Sequence, residues 1–232
     1  MTPPLSIIVP TLNEAARIVA HLEALQPLRR HAAEVIVVDG GSIDGTPALA
    51  QPWVDAVASA PQGRAAQMNA GTKLARGDVL LFLHADTRLP DQADSLIAEA
   101  LADPRRCWGR FDVAIAGAHP LLRGVAWSMN ARSRLTGIAT GDQAMFVRRS
   151  VFEEIGGFPD LPLMEDIALS RRLKRIARPV CLEAHAITSG RRWERRGVLR
   201  TIVLMWLLRT GYWLGVEPRR LAQRYVQASR SS

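Results

Sequence analysis

Val79-Leu80-Leu81-Phe82-Leu83 is an unbroken apolar run. A strand with one wet face alternates polar and apolar residues, so a run without alternation predicts a strand covered on both faces, as in the centre of a parallel sheet. Working upstream, Ala65 to Ala75 reads as a helix, and Val35-Ile36-Val37-Val38 is a second β-branched run that ends at Asp39-Gly40-Gly41-Ser42. Pro47 then stands where it can open a helix, since its missing donor does no harm in a first turn. Further upstream, Leu5-Ser6-Ile7-Ile8-Val9 is closed by Pro10, and Ala15, Ile18, Val19, Leu22 and Leu25 recur at helical spacing. This β-α-β alternation predicts an α/β fold, a Rossmann-like and mostly parallel sheet flanked by helices. Downstream of about Arg105 the texture changes. Gly109 to Ile115 reads as a strand, His119 to Leu135 as an amphipathic segment and Ala144 to Val147 as a strand end. With no linker or repeat between them, 1–104 and 105–190 are expected to be two lobes of one domain, followed by a basic, aromatic helical extension over 191–232.

At 232 residues and 48% hydrophobic composition the chain supports a buried core, which excludes disorder as its ground state. The net charge of +8, from 30 Lys and Arg against 22 Asp and Glu, is carried largely by arginine in the last third. That asymmetry fits a local anionic partner, and charge alone does not choose among substrate phosphate, lipid headgroups and nucleic acid. Cys107 and Cys181 have neither a second pair nor metal-ligand spacing, so no disulfide framework or zinc site is expected and a reducing cytoplasm fits best. Met1-Thr2-Pro3-Pro4 shows no signal-peptide pattern, and the mature chain is expected to start where the sequence starts.

A parallel sheet of this kind receives ligands at the carboxyl ends of its strands. Thr11, Asn13 and Glu14 follow the first strand, Asp39 ends the second, and His84-Ala85-Asp86 follows Val79–Leu83. Asp39 is placed to accept hydrogen bonds from a nucleobase or ribose, whereas ordinary turn chemistry accounts equally well for Gly40, Gly41, Asp44 and Gly45. Alone, Asp86 would read as the cap of a helix near Pro90; its position favours a metal, because Mg²⁺ or Mn²⁺ takes only one or two protein carboxylates and completes its shell with water and phosphate oxygens. His84 is either a second ligand, favouring Mn²⁺, or a hydrogen-bond partner of phosphate. Gly63-Arg64, with Asn69 and Gly71 beyond, begins a helix where a guanidinium suits a phosphate or sugar hydroxyl, and a merely solvated Arg64 weighs equally. Glu165-Asp166 opens a helix whose apolar set is Ile167, Leu169, Leu173 and Ile176. Acids there offset the helix dipole, but attack by a hydroxyl also needs a base, and one of the two carboxylates can serve while the other positions a ligand. Gly141-Asp142-Gln143 either forms a turn or orients the substrate.

Pro10-Thr11-Leu12-Asn13-Glu14, Asp39-Gly40-Gly41-Ser42-Ile43-Asp44-Gly45-Thr46, His84-Ala85-Asp86 and Glu165-Asp166, in that order, resemble the signature of family 2 glycosyltransferases with the GT-A fold. The likeness is strongest from Leu5 to Asp91 and continues more weakly to Arg172. Within the family the chain is most similar to small stand-alone members associated with arsenosugar-type biosynthesis, and more distantly to bacterial carotenoid glycosyltransferases. The resemblance implies a nucleoside-diphosphate sugar as donor, and the candidates to hold it in the first lobe are Pro10, Thr11, Asn13, Glu14, Asp39, Gly40, Ser42, Arg64, Asn69, His84, Ala85 and Asp86. It further implies that Thr11, Glu14 and Asp39 contact the nucleotide, that Asp86 binds a Mg²⁺ or Mn²⁺ bridging the diphosphate, with His84 beside it, and that Asp166, next to Glu165, is the base of an inverting displacement. Gly141, Asp142, Gln143, Arg192 and Trp193 would then meet the substrates in the acceptor half. Two departures stand out: Gly40 occupies a position often acidic in the family, and His84 one often held by aspartate. Arg191-Arg192-Trp193 only partly resembles the Gln-x-x-Arg-Trp segment of processive synthases, so polymer synthesis is not inferred.

Gly197 to Val216 is apolar enough to raise the question of a membrane span. Arg200 and Arg209 count against it, since arginine near a helix centre costs about 2.5–3.5 kcal/mol and a bilayer core needs about 20 apolar residues. An interfacial helix fits better, with Trp206, Tyr212 and Trp213 at headgroup depth and Arg195, Arg196, Arg219 and Arg220 on anionic lipid. The alternative is a helix packed on the catalytic core or on a second subunit in a homodimer. The expected setting is cytoplasmic, with peripheral attachment to the inner membrane face as the variant the tail admits. The competing functional reading is a non-catalytic nucleotide-binding module with a membrane- or partner-binding tail. A nucleotidyltransferase would need a glycine-rich, lysine-containing loop that Thr11-Leu12-Asn13-Glu14 does not supply, and no nucleic-acid module is present.

Overall fold

The computed structural model describes residues 4–230. Eight strands, β1 (Leu5–Thr11), β2 (Glu34–Asp39), β3 (Ala56–Ser59), β4 (Val79–Phe82), β5 (Thr87–Arg88), β6 (Trp108–Ala116), β7 (Phe146–Arg148) and β8 (Val180–Ser189), form one sheet in the order β3-β2-β1-β4-β7-β6-β8-β5. β3, β2, β1 and β4 are mutually parallel. β7 lies antiparallel between β4 and β6, and β8 runs parallel to β6. The strand order reverses beside β1, so the loops after β1, β2 and β4 open at one edge, as the topology of open α/β sheets requires.

The two-sided coverage expected of Val79–Leu83 is present. Val79, Leu81 and Leu83 join Ile7, Val9, Val35 and Val37 in a core packed by Ile18, Leu22, Leu28 and Ile97, whereas Leu80 and Phe82 join Ile8, Ile36 and Val38 under Met68, Leu169 and Leu173. The first face is closed by the helices Ile18–Glu23, Gln26–Arg30 and Ala93–Ala100, the second by Arg64–Leu74 and Glu165–Ile176. Gly71 is what lets Arg64–Leu74 lie close to the sheet: a Cβ there would stand 2.5 Å from Ile8 Cγ2. No helix begins at Pro90. The chain first makes the short strand β5, and Ala93–Ala100 starts after Gln92, so Asp86 caps nothing.

After β8 the described chain is helical: Arg191–Arg196, Val198–Trp213 and Pro218–Arg230. Leu208 and Leu221 pack with Met164 and Ile167 in a small core of their own, which seats these helices on the turn that carries Glu165 and Asp166. Among the described residues, no helix is long and apolar enough to cross a membrane.

Candidate active site

At the open edge, two loops are laced together. Asp39 is buried, and its Oδ2 accepts from the amides of Gly41 (2.9 Å) and Ser42 (2.7 Å), while Thr11 Oγ1 donates to its Oδ1 at 3.3 Å. Asn13 closes the lacing from the other side, its amide donating to Ser42 Oγ and its Oδ1 accepting from Ile43. Gln67, which the sequence did not single out, bridges the strand ends: its Nε2 donates to the carbonyls of Thr11 and Val38, both at 2.8 Å. A Cβ on Gly40 would press on this amide at 3.1 Å, so the position often acidic in the family is filled here by Gln67.

Pro10, Thr11, Glu14, Arg64, Gln67, His84, Ala85, Asp86 and Arg192 line a cavity of about 400 Å³ over these loops. Asp39 lies behind its wall, under Thr11. Beside Asp86 the cavity continues into a strongly charged recess walled by Glu14, Arg17, Arg191, Arg192, Arg195 and Arg196. Glu14 Oε2 is buried with no close hydrogen bond, only Arg17 Nη1 at 3.5 Å, and burial together with the charge of Asp86 raises the Glu14 carboxyl above its ordinary value against the pull of Arg17. Two carboxylates that repel each other in this way, one of them held only by a long ion pair to Arg17, form a donor set suited to a hard divalent cation. The clustering is sparse: no group of three or more His, Cys, Asp or Glu occurs at metal-binding distance among the described residues.

A second cavity, of about 290 Å³, adjoins the first and shares with it Arg64, His84, Pro162 and Arg192; Asp142, Glu165 and Asp166 face into it. The helix Glu165–Ile176 starts from Met164, a non-glycine residue held in the left-handed region at φ 68°. Such a conformation persists only where the surroundings enforce it, and here it turns both acids toward the cavity. Asp166 is fixed by two amides, Oδ2 accepting from Gly141 at 2.9 Å and Oδ1 from Ile167 at 2.7 Å. Burial and the charge of Asp166 push the Glu165 carboxyl up, against the pull of Arg64 at 3.8 Å.

Gly141 also touches His84, and a Cβ there would stand 2.4 Å from the imidazole. His84 Nδ1 meets Asp142 Oδ1 at 3.4 Å. Burial alone would raise the Asp142 carboxyl, but the hydrogen bond and charge of His84, with Arg64 and Arg192, hold it well below the usual range. His84 is therefore tied to Asp142 in this structure. Asn69 and Gln143 face away from the cavities. Asn69 clamps Phe158 through both its backbone groups, and Gln143, fully buried, bonds Thr140 and Asn130. Trp193 lines a third, apolar cavity that meets the second at Asp142, Arg192 and Arg209.

The chain matches the profile of glycosyl transferase family 2 over residues 6–156. The chain belongs to that family. The match begins in β1 and extends past β7, taking in Thr11, Asp39, His84, Asp86 and Asp142. A PGL/p-HBAD biosynthesis glycosyltransferase of Mycobacterium bovis is 39% identical over 101 residues, covering 40% of this chain and 39% of that protein. The probable glycosyltransferase YdaM of Bacillus subtilis is 26% identical over 217 residues, 83% of this chain and 51% of YdaM. Among solved structures, a mannosyltransferase from Pyrobaculum calidifontis in complex with GDP-Man and Mn²⁺ superposes with a TM-score of 0.60 at 26% identity, covering 81% of this chain and 57% of that one. The chain thus spans between about two fifths and three fifths of the length of these relatives. The architecture is that of a GT-A glycosyltransferase, a mixed α/β sheet flanked by helices.

Proposed function

We propose that the protein is an inverting glycosyltransferase that moves a sugar from a nucleoside-diphosphate sugar to a small-molecule or lipid acceptor. One observation carries the reading: Asp86 and Asp166 face adjoining cavities whose common wall is Arg64, His84 and Arg192. A donor whose nucleotide fills the first cavity would place its sugar at that common wall, between the two acids. Thr11 is offered to the nucleotide, and Asp39 sets the loops that shape its seat.

Asp86, with Glu14 beside it, would hold Mg²⁺ or Mn²⁺ against the diphosphate, and the bound cation would offset the charge of the leaving group. Arg64 and Arg192 add cationic donors on the same side. Asp166 takes the proton of the acceptor hydroxyl as its oxygen bonds to the anomeric carbon and the bond to the diphosphate breaks on the opposite face, which inverts the configuration. The backbone amides of Gly141 and Ile167 keep the Asp166 carboxylate aimed during that transfer. The finer placement among the arsenosugar-associated members belongs to this proposal and rests on sequence resemblance alone.

The test is a panel of nucleotide sugars incubated with Mg²⁺ or Mn²⁺ and scored for nucleoside diphosphate release, with and without acceptors. Release that stops on chelation and resumes with metal is the expected result. Nucleotide binding without release under any metal would replace the transferase with the binding-module reading.

A further inference from the structure

The third cavity, about 250 Å³, is a slot between the helices Leu121–Thr136 and Val198–Trp213. Leu121, Val125 and Met129 line it from the first, and Ile202, Met205 and Trp206 from the second. Each stripe follows helical spacing, and one turn further along each helix stands an arginine, Arg132 on the first and Arg209 on the second. Arg209 lines both the slot and the Asp166 cavity. Arg132 has Nε and Nη2 buried without a partner, and neither arginine forms an ion pair among the described residues. Burial and the like charge of Arg209 push the Arg132 guanidinium down to about 10. Asp166 acts on both arginines from a distance but pairs with neither, its oxygens each accepting one amide, from Gly141 and Ile167. Arg209, which lines the slot, and the half-buried Arg132 beside it, with two buried donors unclaimed, leave a seat for an anion at one end of a largely apolar slot whose other polar lining is Ser128, Asp142, Arg192 and Thr201.

We propose that this slot is the acceptor subsite and that the acceptor is an acidic amphiphile, its apolar body between the two helices and a carboxylate or phosphate group at Arg209 and Arg132. The inference rests on the transferase reading and narrows it to a substrate class. Gly124 gives a clean way to close the slot: it lines the cavity on an exposed helix face, and a Cβ there meets nothing within 4 Å. Gly124→Leu therefore fills the slot while favouring the helix.

The experiment titrates the full chain with octyl phosphate, nonanoate, octanol and inorganic phosphate, below micellar concentrations, by calorimetry. At least one of the two anionic amphiphiles should bind saturably and at least tenfold more tightly than octanol or inorganic phosphate, and which of them does so distinguishes phosphate from carboxylate. Gly124→Leu and Arg209→Gln should each weaken that binding at least tenfold. Octanol or inorganic phosphate binding as well as the amphiphiles, or Gly124→Leu leaving binding intact, overturns the proposal. Nucleoside diphosphate binding measured on the same preparation separates the two readings: if it persists while no amphiphile binds, only the acceptor class falls.

Discussion

Asp166 and Glu165 are neighbours in sequence and differ in what surrounds them. Asp166 is fixed by the amides of Gly141 and Ile167, whereas Glu165 is 4% exposed and its carboxyl is raised by burial and by Asp166 itself. Asp166→Asn keeps the shape and removes the proton acceptor, so acceptor-dependent turnover should fall by ~10²–10⁴ while nucleotide affinity, measured by calorimetry, stays unchanged. Transfer near the wild-type rate would show that another group takes the proton. Glu165 makes a separate prediction about stability. A carboxyl whose folded value lies above its ordinary 4.5 opposes folding once it must ionise, so its cost is absent below that pH and grows as pH rises through the raised value. Glu165→Gln should therefore melt above the wild type at pH 8, with about 2–4 °C for each kcal/mol relieved, and the two curves should converge below pH 4.5. The sequence could place these acids at a helix start, but it could not separate their environments, because Arg64 and Gly141 reach them from distant parts of the chain. The same limit explains Gln67, Arg132 and Arg209. No local pattern marks an amide that bridges two strand ends or an arginine left unpaired between two helices. Conversely, Asn69 and Gln143 look like substrate amides in sequence, yet each is spent on backbone or interior partners.

The elements that position the site were legible where periodicity reports burial. Val79–Leu83 declared a strand covered on both faces, and Leu5–Val9 and Val35–Val38 declared its neighbours, since each alternate residue enters one of two cores. Ala144–Val147 was legible as a strand end, but the antiparallel place of β7 between β4 and β6 was not, because pairing with distant strands leaves no local mark, and the two-residue β5 carries no period to read. The helix Leu121–Thr136 shows what long-range chemistry adds to periodicity. Arg110, fully buried on β6, pairs with Asp112, which also pairs with Arg134 at 2.7 Å, and Asn130 bonds the amide and carbonyl of Val113. These contacts pin one wall of the apolar slot to the sheet. Burial opposes ionisation of Asp112, but its hydrogen bonds to Arg134 and Arg110 win and hold the carboxyl below its ordinary range. Removing that charge leaves Arg110 buried and uncompensated, and a broken buried pair costs about 3–5 kcal/mol. Asp112→Asn should lower the denaturant midpoint accordingly, with the wild type converging toward the variant only as pH falls through the depressed value. An unchanged midpoint at neutral pH would mean that the helix is held by its apolar contacts alone.

At the scale of the whole molecule, the C-terminal helices pack on the catalytic core and still leave an apolar face outward. Leu208 and Leu221 face inward onto the catalytic turn, while Leu199, Val203, Trp206, Leu207, Trp213 and Leu214 face outward, with Trp206 69% and Trp213 74% exposed. Trp206 belongs to the outward face and to the slot, so the outward face surrounds the slot's mouth. Arg195, Arg200, Arg219 and Arg220 lie exposed along the same helices, and basic residues near an anionic bilayer contribute about 1 kcal/mol each. An apolar face ringed by arginine fits an interfacial helix at anionic lipid and would bring an amphiphilic acceptor to the slot without exposing its chain to water. Full-length protein should therefore sediment with vesicles containing phosphatidylglycerol at low salt and not with neutral vesicles. Because the screening length shrinks from about 10 Å at 0.1 M salt to about 3 Å at 1 M, most of that binding should disappear at high salt. Trp206→Ala combined with Trp213→Ala should weaken it even at low salt, since those rings supply the apolar part. Failure to sediment with anionic vesicles at low salt would remove the membrane from the proposal; a doubled mass by equilibrium sedimentation in the same buffer would assign the outward face to a second copy of the chain.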